Sequence, residues 1–293
     1  MLQATVATSL VLSRTIVRDM VPQDQAASMI GYVTMGMALV PMMGPMIGGA
    51  LEQFFGWQAT FFFLTISGLC VLALCYFDLG ETVKDGGMSF REQIQSYPAL
   101  FASPRFWGYV LCTAFASGAF FALLGGASFI ASVVFELSPF WSGVGLGAPA
   151  VGYAIGNYLS GRFSVQFGIN KMAMIGTCVT LVGMGTSLVL SLSGVNHPLV
   201  FFGLCTTLGL GNGMSMPNAM AGMLSVRPRL AGTASGLGGA IMVGGGAALS
   251  QFAGGLLTAE SGTIPLQWVM FIVSILAMLS IVFVIIRERQ ITT

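Results

Sequence analysis

Apolar residues run through the chain in long blocks separated by short polar breaks. Uncharged stretches recur at 26–51, 57–77, 106–135, 140–159, 172–192, 199–224, 230–257 and 264–286. Each is near or above the roughly 20 residues that a membrane-spanning helix needs. Residues 2–17 form a ninth, amphipathic candidate interrupted by Arg14. Within the blocks Gly, Ala, Leu, Val and Met follow one another with no period of two, so the pattern predicts helices and not a transmembrane barrel. The expected fold is an all-α polytopic membrane protein with about nine transmembrane helices. The stretches 26–51 and 106–135 exceed the minimum, which implies tilt or extension beyond the lipid.

The polar breaks carry orientation. The 11 basic residues are Arg14, Arg18, Lys84, Arg91, Arg105, Arg162, Lys171, Arg227, Arg229, Arg287 and Arg289. All of them fall at alternate connections or at the C-terminal tail. The remaining connections hold Glu52, Glu136, His197 and Glu260, with no Lys or Arg. Under the positive-inside rule the C-terminus is cytoplasmic, and nine spans then put the N-terminus outside. A chain that opens in mid-helix on the outer face, with no basic n-region before it, is expected to be N-terminally truncated. One connection is longer than the rest: 78–105 holds Asp78, Glu81, Lys84, Asp85, Arg91, Glu92 and Arg105, with a Gly86-Gly87 pair and two prolines. As a cytoplasmic linker it divides the chain into a partial N-terminal bundle (1–77, three spans), the linker (78–105) and a six-helix C-terminal bundle (106–293). Transporters built from two halves are organised in this way.

Composition narrows the function. Only 7% of the 293 residues are charged and 55% are hydrophobic, whereas a soluble domain carries about 25% charge. The 40 glycines and 19 methionines suit close helix approach in lipid. A net charge of +1 gives no electrostatic case for nucleic acid. Cys70, Cys75, Cys112, Cys178 and Cys205 lie in apolar runs without metal-ligand spacing and read as small core residues. The single histidine, His197, excludes a zinc or haem site that needs two. No Asp, Glu, Lys or Arg stands at the centre of a span, so a membrane enzyme has little from which to build a catalytic constellation. No catalytic residue, metal site or cofactor is expected.

Four motifs carry more specific information. In the second span Gly31, Val40 and Gly44-Pro45-Met46-Ile47-Gly48-Gly49 precede Phe55-Gly56-Trp57-Gln58-Ala59-Thr60-Phe61. Glycines on one face admit a neighbouring backbone and Pro45 bends the helix. A side chain introduced at Gly48 is expected to disrupt that contact. The stretch resembles the fifth-helix antiporter motif of the major facilitator superfamily, G-x8-G-x3-GP-x2-GG, with the turn GWR-x-x-F after it. Val40 replaces one motif glycine and Gln58 the arginine. The run Val11-Leu12-Ser13-Arg14 through Arg18-Asp19 is similar to the fourth helix of the Bcr/CflA drug-resistance branch, although Arg14 and Arg18 also read as snorkelling anchors at a helix end. Gln3-Ala4-x-Val6-Ala7 matches the tail of that helix's R-x-x-Q-G-x-G-A-A motif, whose arginine would stand before Met1. Residues Gly161 to Lys171 resemble a degraded second copy of the superfamily's loop motif G-x-L-A-D-R-x-G-R-K, with Val165 and Gln166 in place of the gating Asp and Arg; a tight loop is expected there. Finally, Arg227-Pro228-Arg229 followed by glycine-rich 231–246 echoes residues 18–49, as internal repeats of transporters do.

The resemblance covers helices four to twelve of the superfamily fold. It implies a multidrug efflux transporter of the bicyclomycin and chloramphenicol resistance type in a bacterial inner membrane. Such a transporter is driven by proton antiport, with the proton gradient as its energy source and no cofactor. Small amphipathic drug-like molecules, protons and lipid are the implied partners, and the chain is expected to be a monomer. The site residues so implied are Gly31, Gly44, Pro45, Gly48 and Gly49 for the antiporter motif and Arg14, Arg18 and Asp19 for the charged loop. Phe120, Phe121, Asn157 and Asn212 are candidates for a substrate cavity. With no carboxylate inside a span, the proton-coupling residue is expected upstream of Met1. Two other readings stay open on the residues alone: a truncated, non-transporting membrane protein of the same fold, and an integral-membrane enzyme.

Overall fold

The computed structural model of the chain describes residues 44, 46–78, 98, 100–227, 230–258 and 260–292. Arg14, Arg18, Asp19, Gly31, Pro45 and residues 79–97 of the expected linker lie outside the described residues. All regular structure among the described residues is helical. A helix over 46–55 turns at Gly56 into α1 (Trp57–Asp78). Then follow α2 (Pro104–Phe129), which continues as a π turn over Ile130–Val134, α3 (Pro139–Phe167), α4 (Ile169–Leu192), α5 (Pro198–Ser225), α6 (Ala231–Gly255) and α7 (Ile264–Thr292).

Prolines and glycines set the helix ends. α2, α3 and α5 each begin on a proline, whose missing N–H would have no partner there in any case. Ser103 caps α2 by accepting from the Phe106 amide at 3.4 Å, and the His197 Nδ1 accepts from the Leu199 amide at 3.2 Å at the start of α5. The residues 161–171, expected as a loop, are nearly all helix. α3 runs on to Phe167 and the chain reverses on Gly168 alone, whose φ of +83° a residue with a side chain rarely adopts. α2 ends differently, through the π turn and then Glu136 at φ +51°.

α5 lies among α2, α3 and α4, α2 packs on α6 and α7, and α7 packs on α4. The buried apolar residues gather in two clusters along the bundle axis. One, around Leu123, Ile130, Phe202, Leu208, Leu266 and Met270, lies toward the end that carries Glu136, His197 and Glu260. The other, around Leu100, Phe106, Tyr109, Met223, Ile281 and Val284, lies toward the end that carries Arg105, Lys171, Arg227 and Arg287. Leu100, assigned from sequence to the linker, is fully buried in this second cluster. On α7 the inward stripe Leu266, Met270, Val273, Ala277, Ile281 and Val284 has an exposed counterpart in Trp268, Ile272, Leu276, Leu279, Phe283 and Ile286. A helix apolar on both faces suits a bundle whose outer surface meets lipid. α1 goes furthest: none of its residues is buried.

Among the described residues five helices are long and apolar enough to cross a membrane: Trp57–Asp78, Pro104–Val134, Ile169–Leu192, Pro198–Ser225 and Ile264–Gln290. α3 and α6, at 29 and 25 residues, have the length, but glycine dilutes their hydropathy. Two cysteines depart from expectation. Cys112 and Cys205 are buried, whereas Cys70 and Cys75 are exposed on α1, which has no core of its own to place them in.

Candidate functional site

The glycine-rich helix 46–55 before α1 meets the start of α3. A Cβ added to Gly49 would stand 2.7 Å from the Pro139 carbonyl oxygen, so the two backbones touch there and only glycine fits. A Cβ on Gly48 or Gly44 meets nothing within 4 Å among the described residues. The close approach therefore falls on Gly49, one position after the glycine singled out from sequence. Beside this contact a crevice of about 420 Å³ opens between helix 46–55 and the corner formed by α2 and α3. Gly48, Glu52 and Thr60 line one side of it, and Ser128, Leu137 and Ser142 the other.

The four expected cavity residues sit at different seams. Phe120 is half-buried and packs on the core cluster of α2, α5 and α7. Its neighbour Phe121, 6.4 Å away ring to ring, lies against α6, where a Cβ on Gly246 would overlap its ring. Asn157 is half-buried on α3 and donates its amide to the Tyr153 carbonyl of its own helix at 2.8 Å. Asn212 is buried on α5 and donates to the Ala116 carbonyl of α2 at 2.9 Å. Its Oδ1, together with the Thr180 Oγ1 and Ser215 Oγ, is buried without a hydrogen-bond partner among the described residues. Such groups are costly in an apolar interior, and here they mark the middle of α4 and α5.

Three polar arrangements were not anticipated from sequence. At the basic end Arg105 of α2 pairs with Glu288 of α7 at 2.7 Å. Asn170 of α4 donates to the same carboxylate and accepts from the Tyr109 hydroxyl at 2.7 Å. One carboxylate thus gathers three helices. At the opposite end the Gln267 amide of α7 donates to Ser187 Oγ at 2.9 Å and Ser191 Oγ at 2.8 Å on α4, all of them buried. Between α3 and α5 Asn218 donates to Ser160 Oγ at 2.7 Å. The third seam also has a backbone component: Gly152 and Gly156 of α3 face α5, and Gly209 and Gly213 of α5 face α3, each so close that a Cβ would overlap the other helix's backbone. The G-x3-G spacing on both helices was the available signal. Nothing in the sequence pairs Arg105 with Glu288 across 183 positions.

The arrangement contains helix seams, a polar mid-bundle and a crevice between two helical units. Comparison with known proteins gives it a context. The chain matches the Major Facilitator Superfamily profile over residues 1–250. It is 26% identical over 248 residues to the bicyclomycin resistance protein homolog of Haemophilus influenzae, a match covering 84% of this chain and 62% of that protein. It is also 26% identical over 269 residues to multidrug resistance protein D of Escherichia coli, covering 87% of this chain and 62% of that protein. The chain thus spans less than two thirds of the length of these two curated relatives. Among solved structures, a bacterial homologue of the iron transporter ferroportin in an inward-facing state superposes with a TM-score of 0.61 at 16% identity, covering 92% of this chain and 65% of that one. At that identity the likeness shows the fold.

Proposed function

Because the chain belongs to the major facilitator superfamily, a family of transporters and not of enzymes, we propose that it acts in the export of small amphipathic molecules across a bacterial inner membrane, driven by proton antiport. The observation that carries this reading is the Gly49–Pro139 contact. The end of the GP-x2-GG stretch, which resembles the antiporter motif, touches the start of α3 there, and this supports the reading. A smooth backbone contact lets two units shift against each other without unlocking side chains. The relatives named for bicyclomycin and multidrug resistance support the substrate class. The basic end, with Arg105, Arg162, Lys171, Arg227, Arg287 and Arg289, faces the cytoplasm in this reading, and the end with Glu52, Glu136, His197 and Glu260 faces outward. The partial N-terminal bundle, linker and C-terminal bundle divide at 77 and 105 in this reading.

The test is export in cells. An efflux-deficient bacterium expressing the whole reading frame that encodes this chain should accumulate less of a fluorescent amphipathic dye than the empty host, and a proton uncoupler should erase the difference. Equal accumulation in both strains, or a difference that survives the uncoupler, contradicts the reading.

A further inference from the structure

The crevice beside the Gly49–Pro139 contact holds a carboxylate, Glu52, and none of the described residues lining it is basic. Hydroxyls reach it from both units: Thr60 from the start of α1, Ser128 and Ser132 from the end of α2, and Ser142 from the first turn of α3. Leu137 and Leu146 supply apolar wall. The end of the molecule at which it opens carries Glu136 and Glu260 and, among the described residues, no Lys or Arg. Its volume of about 420 Å³ is that of a small-molecule site and not of a single ion.

Charge and lining together select a ligand. Among the described residues, an anion would meet Glu52 with nothing to neutralise it. A hard divalent ion wants six or more oxygen ligands at close range, and one carboxylate with scattered hydroxyls on two separate units does not enclose it. An organic monocation with an apolar body satisfies both features, because its charge pairs with Glu52 while its carbon surface covers the leucines. We propose that this crevice is a recognition site for lipophilic organic monocations, with Glu52 as the counter-charge. As a station on the export path the site rests on the transport reading above. As a binding site it stands on its own.

Purified chain in an uncharged maltoside detergent should bind tetraphenylphosphonium saturably in equilibrium dialysis. Glu52→Gln should weaken that binding about tenfold and Glu52→Asp should retain it. A second readout avoids reliance on one variant: Ser132→Cys should react with a charged maleimide above the background of the unsubstituted chain, and tetraphenylphosphonium should slow the reaction while tetraphenylborate should not. Equal affinity in Glu52→Gln, or equal protection by the borate, overturns the proposal by reducing the effect to apolar partition. Binding should persist in phosphatidylethanolamine nanodiscs, and its loss there would assign the crevice to the lipid ammonium group and overturn the proposal too. Dialysis reads no transport. Glu52-dependent binding without export would sink the transport reading alone, and export of a neutral dye without such binding would sink this one alone.

Discussion

Gly152 is a residue whose function is the absence of a side chain. A Cβ there would overlap the Thr206 carbonyl oxygen and stand 2.8 Å from the Leu210 amide nitrogen. Neither atom can move without breaking the α5 hydrogen-bond ladder. Gly152→Ala should therefore destabilise the chain by about 1–3 kcal/mol, the usual cost of forcing extra volume into a packed interface. Gly161, on the same helix, meets nothing within 4 Å, so Gly161→Ala should be neutral or slightly stabilising through helix propensity. Thermal unfolding of the two variants in detergent checks the pair, and an equal loss in both would refute the backbone-contact account. Gln267 poses the polar version of the question. It is 1% exposed and its amide is shared between Ser187 and Ser191. Hydrogen bonds between membrane helices average about 0.6 kcal/mol and reach about 1.7, and the two serines can turn back to their own helix once released. Gln267→Leu should cost about 1 kcal/mol, read as a lower midpoint of unfolding in SDS.

At the scale of elements, the helix ends were written in the sequence and the helix partners were not. Pro104, Pro139 and Pro198 start helices within two residues of the expected boundaries, because proline has few other places to stand in an apolar run. Residues 161–171 resemble a loop motif yet are nearly all helix, because the turn needs only the one positive-φ residue, Gly168. Partners stayed hidden for a physical reason. With both faces of α7 apolar, the periodicity that marks a buried face in a soluble helix disappears. The candidate site shows the same limit. The motif marked a glycine face at 44–49, but whether Gly48 or Gly49 touches the opposing unit depends on how α3 approaches it, and that is not local information. The junction of α2, α4 and α7 at Glu288 gives an element-scale prediction. Arg105 and Glu288 side chains are 27% and 41% exposed, so solvent and salt screen their attraction. A double-mutant cycle with Arg105→Ala and Glu288→Ala should give a coupling of about 0.5–1 kcal/mol that shrinks in molar salt. A coupling of zero would show that the Arg105–Glu288 pair adds nothing to the stability of the junction.

For the whole molecule, the proposed orientation rests on the separation of charge between the two ends of the bundle. A fluorescent protein fused after Arg289 should fold and fluoresce in the cytoplasm, while alkaline phosphatase inserted near His197 should be active outside. Phosphatase activity at Arg289 with none at His197 would invert the account and move the Glu52 crevice to the cytoplasmic face. The proposed transport involves a further step, the exchange of substrate for protons. Everted membrane vesicles from cells expressing the reading frame report it most directly, because respiration acidifies their interior and a quenched pH probe registers each proton that leaves. Antiport predicts that adding an amphipathic cation dequenches the probe in a saturable way, and that vesicles from the empty host do not respond. A probe that stays quenched while the same vesicles take up the cation would contradict proton antiport as the driving reaction.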